Sequence, residues 1–207
     1  MKSRLTRYFA SAAIIFFLSI QSVAAQVVPV SLDQRVANSP IIAIAKLVEQ
    51  ESYWDDKRAN IYTRNVLEIK AYLKGASPDN IIVAISPGGV VGNHAEYVCP
   101  SETYQPNTDY LVFLKDNESK TDDKSYRTAH PGIRQCLSYA GMQSVLPYQE
   151  GVYKDLLAEL PMTEEQLLNR MKTSYRLEAK HPDGKKVYGK NIYSRIITAV
   201  IISGQYY

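Results

Sequence analysis

The chain has 207 residues, 45% of them hydrophobic, with 24 basic and 21 acidic side chains and two cysteines. Three of the basic residues, Lys2, Arg4 and Arg7, fall in the first seven positions, so the rest of the chain carries 21 charges of each sign. A balanced chain gains little from counterion release, which argues against nucleic acid as a partner despite a pI near 8.7.

The basic start runs into an apolar stretch over 9–20 and then Val23, Ala24 and Ala25. This is the three-part pattern of a secretory signal peptide over 1–25, and the run is shorter than the ~20 residues that a membrane span needs. Cleavage is expected after Ala25, releasing a product secreted to the extracellular space or periplasm, with no membrane span left after cleavage. No cysteine follows the apolar run, so the cut site offers no thiol for a lipid. In an oxidising compartment an even cysteine count favours a bridge, so a disulfide is expected between Cys99 and Cys136, worth about 4 kcal/mol on the chain-entropy model. The mature length suits one domain, 26–172, followed by a linker at 173–191 and a β-rich tail at 192–207 that reads as a strand pairing back or the start of a further domain.

Along the chain, Ser31 followed by Gln34 makes a capping box and predicts a short helix over 31–38, ended by Pro40. The β-branched density of 41–49 predicts a strand, and 53–60 is a polar connection. Over 61–73 apolar and polar residues alternate, the clearest strand pattern in the chain, and 81–85 reads as its antiparallel partner across turn residues. Glycines and prolines then predict a long irregular loop to Cys99 before a central strand at 110–115. A mobile polar tip is expected over 116–124, and short β-segments over 126–129 and 142–146. Thr163 with Gln166 predicts a capped helix through 172 that closes the domain.

The chemistry-bearing motifs are mostly missing: there is no HExxH, GxSxG, SxxK, CxxC or Walker loop. His94, His130 and His181 lie far apart, and Gly88, Gly89 and Gly92 read as turn glycines rather than a phosphate cradle. Asp116, Glu118, Asp122 and Asp123 lack calcium-loop spacing and read as solvated charges. No cofactor, metal site or catalytic set is expected. Sixteen tyrosines stand against four phenylalanines and one tryptophan, and Tyr53, Trp54 and Tyr62 at one hairpin end are the candidate contact patch, since such rings bury area while their polar ends stay wet.

The segment 61–75 (IYTRNVLEIKAYLKG), then the buried strand and glycine loop over 80–92, then Tyr110-Leu111-Val112-Phe113-Leu114, resembles the netrin-like or TIMP-like (NTR) domain of secreted proteins. The resemblance covers about 31–115. It implies a mainly β fold with flanking helices, an OB-like five-stranded antiparallel barrel with a C-terminal helix. The TIMPs inhibit metalloproteases through an N-terminal cysteine that chelates zinc, and here the expected mature terminus is Gln26, so that mechanism does not carry over. The expectation is a non-enzymatic module that binds a protein or an extracellular polymer. The alternatives are a protease inhibitor that acts through a loop and a secreted hydrolase with dispersed carboxylates.

Overall fold

A computed structural model describes residues 27–77, 80–117, 123–154 and 162–183. The expected leader, the tail at 192–207 and the linker beyond residue 183 lie outside them. The first helix, Leu32–Asn38, starts as its capping box requires: the Ser31 hydroxyl accepts from the Gln34 backbone N–H, and the Gln34 side chain accepts from that of Ser31. Leu32 and Val36, one turn apart, are buried beneath it.

The chain is mainly β, with strands β1 (Ile41–Trp54), β2 (Ile61–Lys74), β3 (Ile81–Pro87), β4 (Gly89–Val91), β5 (His94–Glu96), β6 (Asp109–Asp116), β7 (Arg134–Ser138), β8 (Val145–Gln149), β9 (Val152–Tyr153) and β10 (Met162–Thr163). Five of them pair in a closed circuit. β1 pairs with β2 and β2 with β3, β3 pairs with β7, β7 with β6, and β6 returns to β1. The expected all-antiparallel arrangement needs correction, because β3 and β7 run parallel. A closed circuit with an odd number of strands cannot alternate direction at every seam, so one parallel seam is unavoidable.

Within β1, residues 42–46 pair on both edges, with β2 on one side and β6 on the other. Beyond that point β1 pairs with β2 on one edge only, while β2 carries β3 on its other edge; the β1–β2 ribbon ends in the turn at 55–60, and register shifts between 42 and 43, 44 and 45, and 47 and 49 let β1 bend. The ring encloses Ala43, Leu67, Ile69, Ile82, Val112 and Cys136. A second apolar layer lies outside β1 and β6, where Ile42, Ile44, Leu111 and Phe113 pack against Leu32, Val36, Leu167 and Met171 of the two covering helices. Both faces of these strands are therefore buried, which explains their unbroken apolar sequences.

The C-terminal helix, Glu164–Tyr175, has the expected capping box of Thr163 and Gln166 and runs three residues past the expected end. Arg176 adopts a left-handed conformation and stops it, Ala179 is buried, and Lys180 exchanges two 2.7 Å backbone hydrogen bonds with Tyr72. The first part of the expected linker thus belongs to the domain.

Other expectations differ from the fold. Residues 126–129 are helical rather than extended, within the helix Lys124–Ala129, because the Asp123 carboxylate caps it by accepting from the Tyr126 N–H at 3.0 Å. Residues 141–144 form a 3-10 turn before β8, and the loop after β3 contains the β4–β5 hairpin. Cys99 and Cys136, the pair expected to bridge, are free thiols in the structure. Cys99 is exposed, whereas Cys136 is wholly buried inside the ring, where burial pushes its thiol up to about 12. Among the described residues no helix is long and apolar enough to cross a membrane.

Candidate binding face

The period of two along β2 puts Tyr62, Arg64 and Val66 on the outer face of the ring. Their partners across the β1 seam are Tyr53, Glu51 and Glu49, and Arg64 and Val66 lie opposite Ile85 and Val83 of β3. Val66, Val83 and Ile85 form a small apolar floor on which Tyr53, Tyr62 and Tyr126 rest, all three half-buried. The Tyr53 and Tyr62 rings lie 6.2 Å apart at 36°, a tilted cross-strand pair.

Arg64 is the electrostatic centre of this face. Its guanidinium donates to Asp123 at 2.6 Å and to Glu51, lies 4.0 Å from Glu49, and sits 4.1 Å from the Tyr126 ring centroid. Only 8% of the residue is exposed. Asp123, expected among solvated tip charges, is in fact buried. Burial works against its charge, but the Tyr126 N–H, the Ser125 hydroxyl and Arg64 outweigh it and hold the carboxyl below its ordinary range. Gln135 of β7 adds a clamp, accepting from the Asp123 N–H at 3.0 Å and donating to its carbonyl at 2.9 Å. Tyr126 in turn stacks on His130, with centroids 4.1 Å apart. Burial raises the phenols of Tyr62 and Tyr126, so they stay neutral donors at any ordinary pH.

Two connections flank the face. On one side is the β1–β2 turn, where Asp55 accepts from the backbone of Lys57 and Ala59. On the other is the β6–β7 connection carrying the helix Lys124–Ala129, and the ion pair of Lys124 with Asp56 joins them.

Of the three expected contact residues, the fold brings Tyr53 and Tyr62 together and sends Trp54 to the opposite side of the ribbon. Adjacent strand residues point to opposite faces, so Tyr53 and Trp54 could not share one. Trp54 meets His94 edge-on at 5.6 Å, beside the β4–β5 hairpin. That hairpin is locked to the ribbon: the Thr63 hydroxyl donates to the Gly88 carbonyl at 2.7 Å, and the Ile61 N–H to Glu96 at 2.6 Å. Just past it, Tyr97 is 89% exposed. Among the described residues, no three His, Cys, Asp or Glu side chains gather where they could hold a metal ion. No protein-family model matches the sequence and no curated protein matches it, so the geometry of this face is what bears on function.

Proposed function

We propose that the five-strand circuit is an OB-like barrel of the netrin-like or TIMP-like kind, and that the protein is an exported, non-catalytic binding module with its binding face on the outside of β2 and β3. The observation that carries this reading is the gathering of Tyr53, Tyr62 and Tyr126 on that face between two flanking connections. Binding faces on five-stranded OB-folds lie over the second and third strands, between the loops that join strands one to two and four to five. Here β6 and β7 are the fourth and fifth strands of the circuit, so the turn at 55–60 and the β6–β7 connection occupy those two loop positions. The export expectation rests on the leader pattern in the sequence.

The test is a nuclear magnetic resonance titration of the mature chain with a panel of soluble polysaccharides and peptides, together with a turnover screen on glycan and ester substrates. Shifts concentrated on β2, β3 and the helix Lys124–Ala129 are the expected result. Turnover of any substrate would overturn the non-catalytic reading. A second reading, protease inhibition through a loop, is favoured by Tyr97, an almost fully exposed ring just past a hairpin that hydrogen bonds hold rigid. Shifts confined to that loop on adding a protease, with loss of the protease's activity, would select it.

A further inference from the structure

We propose that this face takes an uncharged, polyhydroxylated chain, a neutral polysaccharide, an assignment that rests on the binding-face reading above. The argument comes from what each ligand charge would meet there. An anionic polymer needs an open cation on the face itself; the exposed Lys57 and Arg58 belong to the flanking turn, and the cation at the centre of the face is consumed, because Arg64 is buried, bonded to Asp123 and Glu51, and covered by the Tyr126 ring. The same polymer would also meet Glu49 and Glu51, whose side chains are 59% and 61% exposed. A cationic polymer is no better served. Glu51 already pairs with Arg64, Asp56 with Lys124, and the flanking turn adds exposed Lys57 and Arg58.

What remains is a surface for stacking and hydrogen bonding without net charge. The tilted Tyr53 and Tyr62 rings, half-buried against the apolar floor, leave an exposed aromatic edge on which the C–H surface of a sugar ring can pack. The carboxylate oxygens of Glu49 and Glu51, on the strand beside those rings, accept from sugar hydroxyls as charge-assisted hydrogen bonds. The rings sit on the long β1–β2 ribbon rather than in a closed pocket, which suits several sugar units in a row.

Biolayer interferometry tests this, with the mature chain in solution over immobilised hydroxyethyl cellulose, galactomannan and soluble starch, and polygalacturonate, single-stranded DNA and polylysine as charged counterparts. The expected result is saturable binding to at least one neutral polymer, changed less than about twofold between about 50 and about 500 mM salt. The Tyr53→Ala, Tyr62→Ala double variant should weaken it by about tenfold or more, and the single Tyr53→Ala variant serves if the double melts early. Saturable binding to charged polymers alone, weakened by the same substitutions, would overturn the ligand class and leave the face standing. Neutral-polymer binding that neither substitution weakens would overturn the face itself, and no binding to any of the six polymers would overturn the polysaccharide assignment.

Discussion

Glu164 opens the C-terminal helix and is 7% exposed, facing the Lys70–Asp109 ion pair and Tyr148. Burial, followed by the charge of Asp109, pushes its carboxyl from 4.5 up to about 7, with Lys70 opposing. Below pH 4.5 the group is protonated in folded and unfolded chains alike and costs nothing. Between 4.5 and about 7 the unfolded chain ionises while the folded one keeps its proton, so stability falls as pH rises, and above about 7 the loss is complete. At about 1.4 kcal/mol per pKa unit the full loss is at most about 3 kcal/mol, since the helix N-terminus gives a little back. Glu164→Gln imitates the protonated form at every pH. In urea titrations it should match the wild type near pH 4 and exceed it near pH 8 by about 1 to 3 kcal/mol. An equal difference at both pH values would show that Glu164 ionises freely in the folded protein and that the helix does not bury it.

Arg64→Met leaves Asp123 buried without its cation and should cost about 3 to 5 kcal/mol, much of it recovered when Asp123→Asn is added; denaturant melts of the two singles and the double measure the coupling. Gly89, at φ +145°, approaches Ser52 and Thr63 so closely that an added Cβ would stand 2.3 and 2.4 Å from their hydroxyl oxygens. Gly89→Ala should therefore destabilise by about 2 to 4 kcal/mol, against about 1 kcal/mol for Gly92→Ala, whose φ is +59° but whose surroundings are open, both read from thermal melts. A thiol reagent should label one cysteine in the folded protein, Cys99, and two in denaturant; no labelling in either state would show a bridge.

The helix starts and the long strands were legible because each is fixed by residues close in sequence. Ser31 and Gln34 cap one helix and Thr163 and Gln166 the other, and the alternation through β2 needs no distant partner to be read. β7 was not legible. Its sequence, Arg134 to Ser138, has no β-branched residue, and it is extended because β3 and β6 grip it on both edges. The candidate face was half visible for the same reason. Tyr53 and Tyr62 follow from the hairpin register, and Arg64 could have been added as the next residue on that side of β2. Asp123 and Tyr126 reach the face only through the β6–β7 connection, so composition alone made Asp123 look like a surface charge.

The circuit closes through two contacts between distant parts of the chain, β1 with β6 and β3 with β7. A polypeptide made from its N-terminus can zip β1, β2 and β3 together early, but β3 keeps a bare outer edge until residue 138 is available. Until then Val83 and Ile85 are presented on an unfinished strand, open to neighbours in the same condition. Handling by a chaperone is thus most needed while roughly the middle third of the chain is emerging, and a truncation anywhere ahead of β7 yields an aggregating fragment rather than a smaller working domain.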